Sequence, residues 1–149
     1  MLSTDLPSFE DFPQPEWNSA SSISEALASA TSAQNKQQSS NAYDLLLYAL
    51  GNNHAGTYYP VALPVLSSLE VILRNGSPWS QHAVLNVLLE LTGSFEPESG
   101  HEDFAGAPLA TSIFSKVVSM CSAIEYIAQG NSIASASASD LLEQIREQQ

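Results

Sequence analysis

Positive charge is nearly missing from this chain. Four Lys and Arg stand against sixteen Asp and Glu, a formal net charge of −12 over 149 residues. Such a field repels nucleic-acid phosphates, so no direct DNA or RNA binding is expected. It favours encounter with a basic partner, although solubility alone accounts for it equally well. Cysteine occurs once, at Cys121, within an apolar helical pattern. It has no internal disulfide partner and reads as a buried, inert thiol. No apolar run reaches the about 18 residues of a membrane helix. Met1-Leu2-Ser3-Thr4-Asp5 lacks both the basic start and the apolar segment of a secretory leader. The expectation is a cytoplasmic protein that does not enter membranes.

The motifs of chemistry are missing too. There is no HExxH, CxxC, GxSxG, GxGxxG or P-loop, and so no cradle for phosphate and no ordered nucleophile and base. A non-enzymatic protein without cofactor or metal is expected. What is present is apolar mass: hydrophobic residues make up 44% of the chain and charged ones 13%, which suits a packed globule whose surface relies on Ser, Asn and Gln. The length is enough for one core without disulfides or a structural metal.

Residues 1–20 form an arm in which Pro7, Pro13 and Pro15 sit among Phe9, Phe12, Trp17 and acids. Proline blocks helix there and leaves aromatics in need of a surface, so the arm either packs on the domain, stays mobile or serves a partner as a linear recognition motif. Residues 21–149 read as a single helical domain. Ile23, Ala26, Leu27 and Ala30 make one apolar stripe after a capping-box spacing of Ser22 and Glu25. Residues 32–40 have no apolar period and read as a polar loop or frayed helix end. Asn41 is the expected N-cap of the next helix, with Tyr43, Leu46, Leu47 and Leu50 on its stripe and Gly51 at its stop.

Pro60 opens a third helix burying Val65, Leu66, Leu69, Ile72 and Leu73, with Glu70 and Arg74 paired outside. Pro64 is a candidate kink. After Asn75-Gly76, Ser77 and Pro78 are N-cap and N1 of a fourth helix, and so short a turn predicts an antiparallel hairpin. The fourth helix is apolar nearly all round, leaving only His82, Asn86 and Glu90 as a solvated stripe, so it is expected to lie between neighbours. Residues 94–108 read as an acidic loop. A fifth helix spans Leu109 to Gln129 with a break near Met120, and a sixth starts at Asp140 with Leu141, Leu142 and Ile145 buried. No strict alternation marks a strand, apart from the Ala and Ser run before Asp140. The fold class is all-α, about six helices.

The segments Gly51-Asn52-Asn53-His54-Ala55-Gly56-Thr57-Tyr58-Tyr59-Pro60, Leu63-Pro64, Ser77-Pro78-Trp79 and Gly93-Ser94-Phe95-Glu96-Pro97 together resemble bacterial HEAT-like helical-repeat proteins over residues 41–129. The resemblance implies stacked antiparallel helix pairs, HEAT/armadillo-like, and a protein-binding role. Some such proteins are immunity proteins that occlude a secreted toxin, and the charge would suit a basic one. The other role it leaves open is a scaffold or adaptor. No second copy of the helix pair recurs at a fixed period, so a compact stack rather than a long solenoid is expected. No catalytic residues carry over.

Candidate partner-binding residues follow from side-chain chemistry. Tyr58, Tyr59 and Trp79 bury large area while keeping a polar tip wet, so they are either interface anchors or core. His54 shares the connection with the two tyrosines. Glu96, Glu98, Glu102 and Asp103 are the densest charge in the chain, and read as a solvated loop or a contact for a basic partner. Hard oxygen ligation of Ca²⁺ is a third reading, without the EF-hand order of acids and glycine.

Overall fold

The computed structural model describes residues 8–149. Among them are seven α-helices: α1 (Ser22–Thr31), α2 (Lys36–Leu50), α3 (Ala62–Asn75), α4 (Pro78–Thr92), α5 (Leu109–Val118), α6 (Cys121–Gln129) and α7 (Ser135–Gln148). The connections hold four strands of two residues each: β1 (Thr57–Tyr58), β2 (Glu96–Pro97), β3 (Asp103–Phe104) and β4 (Ala107–Pro108). The protein is all-α, as its periodicity predicts. No helix among the described residues is long and apolar enough to cross a membrane.

Helix α4 lies at the centre and packs against α1, α2, α3, α5 and α7. Val84, Leu85, Val87 and Leu88 are fully buried, because apolar residues cover most of its circumference and each side needs a cover. Its polar stripe is half-buried rather than solvated. Asn86 Nδ2 donates to the His82 carbonyl at 2.8 Å and reaches Ser137 Oγ on α7 at 3.4 Å, while Tyr43 on α2 donates its hydroxyl to Glu90. A helix enclosed on so many sides has little water left for its polar face, and those groups bond to neighbouring helices instead.

The α3–α4 hairpin is set by local chemistry. Ser77 Oγ accepts from the Ser80 amide at 3.1 Å and donates to the Ala33 carbonyl at 2.7 Å, so the cap of α4 also holds the turn between α1 and α2. Ser77→Ala is expected to destabilise by about 1–2 kcal/mol, read as a lowered midpoint in chemical unfolding. An unchanged midpoint would mean that the cap is dispensable. The Val65, Leu66, Leu69, Ile72 and Leu73 stripe of α3 is buried as expected. Pro64 falls in the first turn of α3, where no i−4 carbonyl awaits an amide, and it needs no kink.

Three helix starts differ from expectation. Helix α2 begins at Lys36, inside the predicted polar loop, and its N-cap is Asn35, whose Oδ1 accepts from the Gln38 amide at 2.9 Å. Asn41 lies inside the helix. The first turns hide their inner face from a hydrophobicity count because Ser39 is buried as a polar residue, donating to the Trp79 carbonyl at 2.9 Å. Helix α7 begins at Ser135 rather than Asp140, since Ala134 and Ala138 continue the stripe of Leu141 and Ile145 with small side chains. Helix α1 begins at Ser22 with Ser21 as N-cap, and Glu25 receives the Ser21 hydroxyl at 2.9 Å instead of completing a box with Ser22. The break near Met120 is present and divides the predicted fifth helix into α5 and α6.

Candidate functional site

Gly51 ends α2 in an extended conformation, and the chain then folds back on itself: the Tyr59 amide donates to the Leu50 carbonyl at 2.9 Å. The reversal brings Thr57 so close that a β-carbon on Gly51 would lie 2.0 Å from the Thr57 carbonyl oxygen. Strand β1 pairs in parallel with β2, Thr57 opposite Glu96 and Tyr58 opposite Pro97. The Glu98 amide donates to the Tyr58 carbonyl at 2.8 Å, and Thr57 donates its hydroxyl to the Glu98 carboxylate. The aromatic connection and the acidic loop, about forty residues apart in sequence, thus form one surface.

Tyr58 and Tyr59 point to opposite sides, as successive residues of an extended segment do. Tyr58 is 1% exposed and belongs to the core rather than to an exposed anchor. Burial first, and the Glu96 carboxylate second, push its hydroxyl up to about 12. Tyr59 is half-buried with the His101 ring 5.2 Å away. Its hydroxyl is raised by burial first, then by the carboxylates of Glu98 and Glu16. Glu16 comes from the arm and Glu98 from the loop, so two distant segments converge their charge on this ring.

The described part of the arm, residues 8–20, is strapped across the same surface; Pro7 lies outside the described residues. The Pro13 carbonyl accepts from the Val61 amide at 3.1 Å, Phe12 stacks on Phe104 of β3 at 5.6 Å, and Pro15 is buried. Asn18 Nδ2 donates to the Ala49 carbonyl at 2.8 Å. Trp17 Nε1 donates to the Tyr48 carbonyl at 2.9 Å, which satisfies the indole N–H and sets its ring 5.5 Å from that of Tyr48. Both rings remain open to solvent, Trp17 at 41% and Tyr48 at 57%, as does Leu45 at 46%. Together with Asp44, Asn53 and His54 they line a groove of about 500 Å³.

Of the residues singled out in the sequence, His54 lines this groove, while Tyr59, Glu96 and Glu98 lie along the β1–β2 side of the same surface. Glu102 and Asp103 are exposed further along the loop: Glu102 Oε1 accepts from the Gly100 amide at 3.0 Å, and Asp103 stands in a hairpin turned by Ala105 and Gly106, both at positive φ. Trp79 is elsewhere, at the start of α4, edge-on to His82 at 5.5 Å. His82 is kept below its ordinary pKa by burial. Among the described residues no three His, Cys, Asp or Glu side chains gather as a metal site would require.

Leu45 and Tyr48 were the residues that sequence reasoning passed over as a site, while Trp17 was read only as one of the arm's aromatics in need of a surface. One signal was available: Leu45 and Tyr48 are three apart on α2 and fall off its buried stripe, an apolar pair on the outer face. The groove lining contains neither Lys nor Arg. Elsewhere Glu70 binds both Arg74 at 2.9 Å and Lys116 at 3.4 Å, the two ion pairs among the described residues. Burial alone would raise the Glu70 carboxyl, and these two cations more than offset it, so it sits below its usual range. Half of the chain's basic residues are thereby occupied away from the groove, and the groove face keeps its negative charge. No known protein family, characterised protein or solved structure matches this chain.

Proposed function

We propose that this protein is a non-enzymatic binding module that docks a basic protein partner through the face built from the arm, α2 and the β1–β2 connection, as an immunity protein occludes its toxin. The observation that carries this reading is the groove itself: three large side chains, Trp17, Leu45 and Tyr48, held half out of the core beside the Asp44 carboxylate, with neither Lys nor Arg in the lining. Leaving Trp17, Leu45 and Tyr48 in water forfeits burial energy, which a partner restores on docking. Aromatic anchors ringed by polar groups are where interface energy concentrates. The resemblance to HEAT-like immunity proteins supports the toxin as partner, and the acidic field supports a basic one. Inhibition would then be steric, with charge steering the encounter.

The test is capture of binding proteins from the source of this chain, followed by association kinetics with the protein captured. The expected partner is basic, and its association rate falls at least about tenfold between low and high salt as screening removes the steering. Tyr48→Ala, at an exposed position, is expected to weaken the complex by about 2 kcal/mol, roughly 30-fold, with the fold intact. A salt-independent rate, or an affinity indifferent to Tyr48, sinks the proposal.

A second reading, a helical scaffold or adaptor without a toxin partner, draws on a separate feature. Tyr126 on α6 is 81% exposed beside a shallow cleft of about 360 Å³ with Leu73, Arg74 and Gln81 on its other wall. A scaffold needs two docking surfaces, and this cleft would be the other. Tyr126→Ala separates the readings: an occluding inhibitor keeps its affinity for the toxin, whereas an adaptor loses one of two partners.

A further inference from the structure

We infer that the groove between the arm and α2 is a receptor for an arginine side chain of the partner, with the guanidinium laid against the Trp17 and Tyr48 rings and bonded to Asp44. This deepens the binding-module reading and rests on it for the statement that the arginine belongs to a protein. The groove carries its own account of the ligand class. One wall, made by Trp17, Leu45 and Tyr48, is apolar and aromatic and the other, with Asn52, Asn53 and His54, is polar, so an occupant with a flat or aliphatic body and a polar head fits it. Its charge is the Asp44 carboxylate, which has no ion-pair partner among the described residues, so the occupant must bring the cation.

Ring geometry favours arginine over lysine. The two rings are 5.5 Å apart and tilted by 38°, a splayed pair rather than a closed stack, and both are open to solvent. The indole N–H is already spent on the Tyr48 carbonyl, so Trp17 presents a π surface and not a donor. A guanidinium is planar, weakly hydrated and attracted to aromatic faces, and while stacked it still directs in-plane N–H donors sideways. Asp44 stands one residue before Leu45 on α2 and lines the same groove, where it can take those donors. An ammonium offers no plane to stack and holds its water more tightly. The arginine stem would lie on Leu45, which is 46% exposed and otherwise uncovered.

The probe is a capped pentapeptide, Ala-Leu-Arg-Leu-Ala, beside versions with citrulline or lysine in the central place. Citrulline keeps the shape and removes the charge. Binding is read from Trp17 fluorescence in the full chain carrying Trp79→Phe, which leaves Trp17 as the one indole. Saturable binding of the arginine peptide at least about tenfold tighter than citrulline is expected, with lysine between them. Asp44→Asn is expected to weaken arginine binding about tenfold and leave citrulline unchanged. Tyr48→Ala is expected to abolish the preference. Asp44 and Tyr48 are solvent-exposed, Trp79 is half-buried and keeps an aromatic ring in Trp79→Phe, and unchanged circular dichroism certifies the fold of each variant.

Equal affinity for arginine and citrulline, indifference to both substitutions, or no binding at millimolar peptide would each overturn the assignment. The outcomes also separate this assignment from the broader reading. If the peptide fails while a basic protein is still captured in a Tyr48-dependent way, the docking face stands and the arginine receptor falls. If the peptide binds as expected but no protein is captured through Tyr48, the receptor stands and the protein-module reading falls.

Discussion

Gly51→Ala is expected to destabilise the protein by more than about 3 kcal/mol, lowering the melting temperature by roughly 10 °C. The reason is contact with backbone, which cannot rotate away as a side chain does. An added β-carbon would meet the Thr57 carbonyl oxygen at 2.0 Å, the Tyr58 Cα at 2.6 Å and the Thr57 carbonyl carbon at 2.8 Å. Conformation is not the obstacle, because φ is −178° and any residue adopts that. The clash must push β1 off the end of α2, and β1 carries the pairing to β2 and leads into Tyr59, whose amide N–H donates to the Leu50 carbonyl. Loss of stability should therefore come with loss of partner binding. Calorimetry of the variant checks the first, and a melting temperature within 2 °C of the parent would show that the connection is slack, since about 1 kcal/mol moves a domain of this size by 2–4 °C.

The second large effect is at Tyr58. Tyr58→Ala empties a fully enclosed site and is expected to cost about 3–5 kcal/mol, whereas Tyr58→Phe keeps the ring and is expected to cost less than about 1.5 kcal/mol. Alkaline pH supplies an independent check. The folded protein holds the Tyr58 proton up to about pH 12, against an ordinary value of 10.0. The unfolded chain therefore releases it first, and this contribution to stability is complete below pH 10 and lost between about pH 10 and 12. The slope from one such group is about 1.4 kcal/mol per pH unit. Denaturant titrations at pH 9, 10 and 11 should show a steep decline in the parent and a shallower one in Tyr58→Phe. It does not vanish, because Tyr43 is shifted in the same direction by burial and by Glu90. Equal slopes in the two proteins would place Tyr58 in contact with water.

Both residues act at the joint that turns separate sequence features into a face. Without the reversal at Gly51, the acidic loop would have no register against the connection that carries Tyr59. The arm then closes over the joint, through Pro13 to Val61 and Phe12 to Phe104, and delivers Trp17 to Tyr48. The docking face is thus a by-product of how the loops and arm seal one end of the helical stack.

How much of this could be read from the residues differs by element. The start of helix α4 was legible to the residue, because an N-cap serine and an N1 proline mark it without reference to anything distant. The start of α2 was not, because Asn35 and Asn41 are equally good caps, and the buried Ser39 takes its reason from the Trp79 carbonyl forty residues away. The Ala and Ser run before Asp140 failed for a related cause: Ala134 and Ala138 are core residues, but small ones, and a hydrophobicity count gives them little weight. Tyr58 and Tyr59 looked alike in sequence and were separated only by the extended backbone where β1 ends, which turns one ring inward and leaves the next half-buried.

The amino-acid sequence by itself determined the helical class, the stripes of α3 and α4, their hairpin and the acidic field, because each depends on spacing or composition within a few residues. The tertiary structure alone decided which aromatics were left outside. Trp17 and Tyr48 are 31 residues apart, and no local rule sets their separation at 5.5 Å. Exposure is what remains after every helix has covered its neighbours, so a site made of uncovered apolar rings becomes visible only when the whole stack is in place.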